Sequence, residues 1–499
     1  MFHVLAVSGI LYLLWTCLSI IRTLYLHPLR NLPGPHLWIA FPILRYISLV
    51  RGRLDMDMRA FHNKYGEAVR FGPDEVSFIT AQAWKDIYAH GHGDRQFLKV
   101  LHSTSNPSDI ISANNADHSR FRRALSHAFS AKGLQAQEPI LRSYVDKLIQ
   151  RLEEIAASPN PVANMVKWYN LTTFDLIGDL AFGEPFGGLD SSEYHYWVAN
   201  IFQAVRGIAY VKMRDAYPLL SRALSLFLAP KSLLEARKRQ IEYSKFTVQK
   251  RLQSTLHRGP ADFMDSMLRH SGDKEKELTD KEMEANANIL IIAGSETTAT
   301  LLSGVTYWLL RTPDALHKAT HEVRSSIPSD SDITFQTTSQ LPYMLACLNE
   351  ALRVYPPAPG GLERITIPPS PADISGYMIP HGTKVSIHQS AAYCSPLNFH
   401  RPEEFLPERW LPSAGEDASS PFCNDNRDVL QPFSIGPRNC IGRNLANAEM
   451  RMILARVLWN FDLELCAESS DWKEQRSFLL WEKGPLMCVL KKRKGTVSD

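Results

Sequence analysis

The sequence predicts a mainly α-helical protein with a smaller β part, folded as a single large domain behind an N-terminal transmembrane helix. Three observations lead there. Residues 1–21 are apolar almost throughout, with only His3 and a few hydroxyl side chains interrupting. Helical periodicity fills Ile140 to about Gln253, Thr279 to Arg311, Tyr343 to Val354 and Asn444 to Phe461. Short alternating runs are confined to the stretches 56–87, 366–386 and 462–491. With 499 residues, 44% of them hydrophobic, the chain has material for a large core. Usual domain size would give about three domains, but no Gly/Ser linker, repeat or low-complexity run divides the sequence.

About 20 apolar residues span a bilayer as a helix, which residues 1–21 supply. A cleavable signal would want a charged start, a shorter apolar core and small residues at a cut site, none of which precedes Arg22. The expectation is a retained anchor. Arg22, His27 and Arg30 follow it while the N-terminus has no Lys or Arg, so the positive-inside rule puts residues 37–499 in the cytosol, and an endoplasmic-reticulum location fits. Within the basic segment 22–36, Leu32, Pro33, Gly34 and Pro35 are too rigid and helix-averse to continue the anchor.

A net charge of +3 gives no case for nucleic acid. The basic tail Lys491, Lys492, Arg493, Lys494 reads as a solvated terminus. Seven cysteines, odd in number and without a Cys-x-x-Cys pair, argue against a disulfide framework or a structural zinc site and for a reducing compartment.

Along the chain, Val69, Phe71, Val76 and Phe78 around Gly72 and Pro73 suggest a small hairpin. Asp117 to Arg123 opens a helix running through Leu125 and Phe129; its three arginines read first as a solvated face. The helical stretch after Ile140 breaks at Pro159–Pro161 and at Gly183–Gly188. Asn170, Leu171 and Thr172 form a sequon that a cytosolic domain would leave unmodified.

Thr279 and Glu282 make a capping-box start for a helix stopped by Thr312 and Pro313. Its middle, Ile289 to Ala293, is apolar on every side, then turns polar at Gly294, Ser295, Glu296, Thr297 and Thr298. A buried acid and hydroxyls are costly unless satisfied, so this break marks a site, the bland alternative being a threonine bonded to the carbonyl four residues back. Glu350 and Arg353 lie three apart on a helix ended by Pro356 and Pro357. Pro412 to Arg427 is a polar loop leading to Phe433.

Cys440 is the most informative residue. Gly436 and Gly442 bracket it, and residues without a β-carbon let backbone turn tightly and approach a flat ligand closely. The helix beginning near Gly442 would favour thiolate, which is a metal ligand, and Arg438 is placed to pair with a cofactor carboxylate. An inert buried cysteine is the plain alternative.

The spacing Phe-x-x-Gly-x-Arg-x-Cys-x-Gly over Phe433, Gly436, Arg438, Cys440 and Gly442 resembles the heme-thiolate signature of the cytochrome P-450 monooxygenases. The resemblance implies that Cys440 is the axial ligand of the iron of heme b (iron protoporphyrin IX), that Phe433 packs beside the sulfur, and that Arg438 meets a propionate. The run Ala293, Gly294, Ser295, Glu296, Thr297, Thr298 is similar to the family's oxygen-activation motif. It implies that Gly294 opens space for dioxygen, Thr297 donates a hydrogen bond on the oxygen side, and Glu296 relays protons; Ala293 shares the face of Thr297.

The family joins a Glu-x-x-Arg pair to an Arg in a Pro-Glu-Arg segment, which here gives the structural triad Glu350, Arg353 and Arg409. Arg364 matches a family arginine beside the heme. A Trp and an Arg four apart usually reach the propionates; here His118 and Arg122 occupy those positions, leaving Arg120 and Arg123 for a basic docking face. Residues 195–230, rich in Tyr, Trp, Phe and Leu, cover the substrate pocket in this family.

Identified as a member of the microsomal P-450s, of fungal type, the chain is expected to divide into an anchor (1–21), a basic and proline-rich hinge (22–36) and a monooxygenase domain (37–499) with the cytochrome P-450 fold. The expected reaction is insertion of one oxygen atom from O2 into an apolar small molecule, a terpenoid, polyketide or alkaloid intermediate of secondary metabolism. Electrons would come from NADPH through NADPH-cytochrome P-450 reductase. An isomerase, dehydratase or peroxide-using relative is the nearest alternative, and a noncatalytic heme-binding membrane protein the next.

Overall fold

The structure, a computed structural model, describes residues 2–90, 96–103, 105–219, 242–243, 245–251, 253, 262–268, 277–368 and 371–493. The chain forms two compact units, one of Met1–Val100, Pro359–Pro402 and Asp425–Asn439, the other of Leu101–Ala358, Glu403–Asn424 and Cys440–Asp499. Neither is contiguous, so no linker composition marks a boundary.

In the first unit the apolar N-terminus is one helix, Phe2–Ile21, continued by a single π-turn at Arg22–Leu26. Leu11, Leu13, Trp15 and Leu18 are all well exposed, and none of the window Val7–Leu26 is buried. A helix of this length and apolarity is a candidate membrane anchor. The expected hinge is strapped down rather than free. The Pro33 carbonyl accepts the Arg70 N–H at 2.8 Å, and the Arg70 guanidinium donates to Thr23 O at 3.0 Å and to Pro73 O at 2.8 Å. Proline rigidity that prevents a helix also suits a strap, because an extended segment keeps its carbonyls available to a strand.

The hairpin forms as expected from Ala68–Gly72 and Glu75–Phe78, but the flanking parts of the stretch 56–87 are helices, Leu54–Tyr65 and Ala81–Tyr88. Glu75–Phe78 pairs in parallel with Lys384–Ile387, and Arg364–Ile365 and then Leu98–Lys99 complete a five-stranded sheet. Both hairpin strands are buried along their whole length, including Arg70 and Ser77. Their apolar/polar alternation therefore does not mark a solvent-facing side.

The second unit is built on the helix Asp280–Arg311, here called the central helix. Its capping box is present: Thr279 Oγ1 accepts the Glu282 N–H and Glu282 accepts the Thr279 N–H at 2.9 Å. It is apolar enough to cross a membrane, yet 72% of its apolar window is buried inside the protein, so it is a core helix. The helix Met165–Phe182 is buried nearly all round and ends at Gly183, which has φ of +75°. Asn170 and Thr172 lie within it, fully buried, which takes the sequon out of reach of any glycosylating enzyme in the folded protein.

A three-residue strand, Val162–Asn164, too short to show a period, pairs with Met487–Lys492, which also pairs with Phe461–Leu465. The basic tail is partly drawn into this sheet, with Lys492 bonded to Glu153 at 2.8 Å and Lys491 paired with Glu464. The helix Arg443–Asn460, the cysteine helix, follows Cys440 directly. Of the segment 195–230, the helix Tyr196–Ala216 accounts for the first part, and residues 220–230 lie outside the described residues.

Candidate active site

The division between the units falls between Asn439 and Cys440. On the first-unit side, Gly436 has φ of +78°, and a β-carbon there would lie 1.7 Å from the Tyr88 carbonyl oxygen. The glycine admits the backbone of residue 88. Sequence reading saw the missing β-carbon but had no means of seeing what approaches it. Tyr88 in turn donates its hydroxyl to Leu362 O at 2.6 Å and lies under the Arg364 guanidinium at 5.1 Å.

Arg364 is buried and Arg438 half-buried in this unit, as is Phe433. Burial lowers the pKa of both arginines; for Arg438, held down to about 10, the nearby charge of Arg364 is the next cause. Two desolvated guanidinium groups in one unit suit an anion.

On the second-unit side, Cys440 is exposed, just ahead of Gly442, which occupies the N-cap of the cysteine helix without a side-chain cap bond. A β-carbon on Gly442 would meet Phe129 at 3.8 Å and Cys440 Sγ at 4.0 Å, ordinary contacts, so this glycine is not needed for space. Although the sulfur is accessible, enough protein surrounds it that desolvation is the largest influence and raises its pKa above the ordinary thiol value. The Gly442 N–H and the charges of Arg122 and Arg443 oppose this without prevailing. Ligation of a metal would have to displace the proton, with Arg122 and Arg443 beside the charge left behind.

Arg122 and the buried His118 stand four apart on the helix Asn115–Leu125, whose Asn114 cap accepts the Asp117 N–H at 2.9 Å. Arg120 is not available for docking. Glu282 holds it through both carboxylate oxygens, at 2.5 and 3.1 Å, and Asp117 at 2.9 Å. Arg123 is exposed.

The central helix opens where its sequence turns polar. Ala293 is exposed and Gly294 and Thr297 partly so, whereas Ser295, Glu296 and every residue from Thr298 to Tyr307 are buried. Ala293 and Thr297, with the partly exposed Asn288, Ile289, Ile292 and Gly294, thus form an open stretch of the helix ahead of its buried second half. Thr297 Oγ1 donates to Ala293 O at 2.6 Å and Thr298 Oγ1 to Gly294 O at 3.0 Å, the back-bonded arrangement the plain alternative described. Gly294 makes room for Ile177 of the neighbouring helix, since a β-carbon would fall 2.8 Å from Ile177 Cδ1.

Glu296 is fully buried in an ion pair with Lys483, which also donates to Thr300 Oγ1 at 2.6 Å. Burial raises the carboxyl and lowers the ammonium. Glu449, on the cysteine helix, is also buried; desolvation pushes it up to about 8, against a hydrogen bond from Thr298. Neither Lys483 nor Glu449 was visible as a site residue in the sequence, and Arg443 was passed over although it lies three residues after the cysteine.

The triad is brought together as expected. Glu350 accepts from Arg353 Nε and Nη2 at 2.9 and 2.7 Å and from Arg409 Nε at 3.1 Å, all three side chains being wholly buried. The Leu406 N–H at 2.9 Å and Trp410 Nε1 at 2.8 Å fill its remaining lone pairs. These partners outweigh desolvation and hold Glu350 below the usual carboxylate range.

No group of three or more His, Cys, Asp or Glu among the described residues would hold a bare metal ion. One accessible sulfur flanked by arginines and an open stretch of the central helix, both in the second unit, suit a metal that arrives in a flat macrocycle with its own equatorial ligands. The donor set fits heme. A family model described as "Cytochrome P450" matches residues 32–489. The chain is 56% identical to "Cytochrome P450 monooxygenase olcB" of Penicillium canescens, over 99% of this chain and 100% of that one. It is likewise 56% identical to "Trichothecene C-4 hydroxylase" of Trichoderma arundinaceum, over 95% of each. With "Averantin hydroxylase" of Dothistroma septosporum the identity is 44%, over 96% of this chain and 90% of the relative.

Proposed function

Because the chain belongs to the cytochrome P450 family, we propose the following roles for its residues in a heme-dependent monooxygenation. The enzyme class is that of its relatives, monooxygenases and hydroxylases of fungal secondary metabolism. Heme, when bound, supplies the binding and cleavage of dioxygen.

Cys440 holds the iron through its sulfur after losing its proton. The observation that carries this is an accessible thiol with Arg122 and Arg443 acting on it at the start of a helix. Arg122 and His118 would hold the heme carboxylates from the second unit, and Arg364 and Arg438 would do so from the first. Thr297 keeps a proton at Oγ1 on the open stretch; for it to be delivered, the hydroxyl turns away from the Ala293 carbonyl. To pass a proton on, the Glu296 carboxylate first takes one from the paired Lys483 ammonium, and the neutral amine left behind is then reprotonated from water. Glu350, Arg353 and Arg409 do not touch substrate; they fix the segment 404–410 against its helix.

Residues 1–21 anchor the protein in the endoplasmic-reticulum membrane and residues 37–499 work on the cytosolic side, reduced by NADPH-cytochrome P450 reductase. The substrate is an apolar secondary metabolite, and the names of the relatives make a trichothecene and averantin the first compounds to try. The full chain in microsomes with the reductase is expected to give a carbon monoxide difference spectrum with the far-shifted Soret band of sulfur ligation. Cys440→Ala should abolish that band; its survival in the variant would overturn the assignment. Incorporation of oxygen-18 from labelled gas into product separates monooxygenation from isomerase or dehydratase chemistry.

A further inference from the structure

The helix Pro313–Ser326 carries two histidines four residues apart, His317 and His321. Positions i and i+4 stand one above the other on a helix face, with β-carbons about 5–6 Å apart. Both side chains are exposed and their rings lie side by side, centroids 6.3 Å apart and planes inclined at 24°. Neither imidazole has a hydrogen-bond or ion-pair partner among the described residues. A neutral imidazole in that position offers the lone pair of one ring nitrogen to whatever approaches from solvent.

This is the spacing at which a helix presents two imidazoles to one zinc ion. A metal about 2.0 Å from each nitrogen lies about 3.2 Å from each ring centre, so a tetrahedral angle at the metal brings the centres to about 5.2 Å. The rings have to close by about 1 Å, a small χ rotation for two exposed side chains. Lys318, the cation between the two histidines in sequence, is held by Asp314 at 2.6 Å and Glu408 at 2.9 Å, so carboxylates balance its charge before a metal ion meets it.

The backbone under the pair is fixed. Ala315, Ala319 and Val323 bury the opposite face of the helix. Glu322, next to His321, accepts the Tyr343 and Met344 N–H groups at 2.8 Å each, at the start of the helix Pro342–Val354. Arg324 donates to Leu458 O at 3.0 Å and to Phe461 O at 2.9 Å, at the end of the cysteine helix. Chelation therefore has to order two side chains and no main chain.

We propose that His317 and His321 form a two-point chelate for a divalent transition metal of the zinc, nickel and copper class, with water completing its coordination. Two imidazole donors suit these ions, whereas magnesium and calcium take oxygen ligands. No group of three or more His, Cys, Asp or Glu gathers around the pair among the described residues, so the site is open and exchanges its metal, unlike a closed structural zinc centre. It is separate from the heme site and takes no part in the oxidation.

The test uses the full-length heme-loaded protein, purified without a histidine tag, and zinc chloride as the probe. Calorimetric titration is expected to show a site that His317→Ala and His321→Ala each weaken by at least about tenfold. Because one ion is shared, the double variant should bind no more than about twofold worse than either single one. In wild type, zinc should slow hydrogen exchange of the amides of residues 317–321, and in the variants it should not. The carbon monoxide spectrum, which these exposed positions should leave unchanged, shows that each variant is folded.

An isotherm that neither replacement alters, losses that add in the double variant as they would for two separate ions, or wild-type exchange at residues 317–321 that zinc does not slow would each overturn the proposal. Should a variant lose its carbon monoxide band, the exchange measurement on wild type decides alone.

Discussion

Replacing Lys483 by methionine would take the ammonium out of a pair whose two side chains are each only 3% exposed, while keeping most of the volume of the stem. Glu296 would then retain the Thr300 hydroxyl at 3.5 Å on Oε1, and its Oε2 already has no hydrogen-bond partner among the described residues. Removing one member of a buried pair costs about 3–5 kcal/mol, because the survivor is an uncompensated charge. Glu296 has an escape, since burial already raises its pKa and the largest opposing influence is Lys483 itself. In the variant it would take up a proton, so the loss at neutral pH should fall at the lower end, about 3 kcal/mol.

The sign of the pH dependence follows. A carboxyl whose folded pKa lies above its unfolded value costs nothing below the unfolded pKa, near 4.5, and costs progressively more as pH rises toward the folded one. The deficit of Lys483→Met relative to wild type should therefore shrink toward pH 5 and widen toward pH 8. Equilibrium urea unfolding followed by tryptophan fluorescence across that range measures it. The double variant Glu296→Gln/Lys483→Met, with neither charge left, should recover most of the loss. A cost under about 1 kcal/mol for Lys483→Met at neutral pH, or a double variant at the sum of the single losses, would refute the reasoning.

Glu350→Ala removes the acceptor of five hydrogen bonds in a wholly buried cluster and leaves Arg353 and Arg409 facing each other. A loss of about 4 kcal/mol or more is expected, seen as a sharp fall in folded protein and in heme per chain; since the Glu350 pKa is depressed, its contribution in wild type is present above the ordinary carboxylate pKa and fades as pH falls. Glu449, raised to about 8 from 4.5, has the opposite sign: it makes wild type lose stability as pH climbs between those values, and Glu449→Gln should flatten that slope in melting temperatures taken from pH 5 to 9. Thr297→Ala should retain heme but lower product formed per NADPH consumed by about tenfold or more, with the difference recovered as hydrogen peroxide; unchanged product per NADPH would contradict its role.

What the sequence discloses about this fold and site is what is written locally. The central helix was legible because its cap, Thr279 with Glu282, its stop at Thr312 and its polar break all lie on one continuous segment. The cysteine loop was legible from spacing alone. The triad was legible only through the resemblance to the family, which joins an Arg of a Pro-Glu-Arg segment to a Glu-x-x-Arg pair, since an i, i+3 pair by itself is indistinguishable from a surface one. Lys483 stood in an irregular C-terminal stretch, and nothing in its neighbourhood signals a partner 187 residues earlier. Arg120 looked like a solvated cation for the same reason: its partner Glu282 lies 162 residues downstream and was already explained as half of a capping box.

The glycines show the limit most clearly. A sequence records that Gly294 and Gly436 lack a β-carbon, and beside a cysteine or a threonine cluster that absence invites a ligand. In the folded chain a β-carbon on them would meet Ile177 and the carbonyl of Tyr88, so both residues serve the packing around the site. The same correction applies to charge. A helix start and nearby arginines are local features that favour an ionised sulfur, whereas desolvation is set by everything folded around Cys440, and in this chain it is the larger influence. Residue type and spacing thus located the chemistry, and long-range packing decided which side chains are free to take part in it.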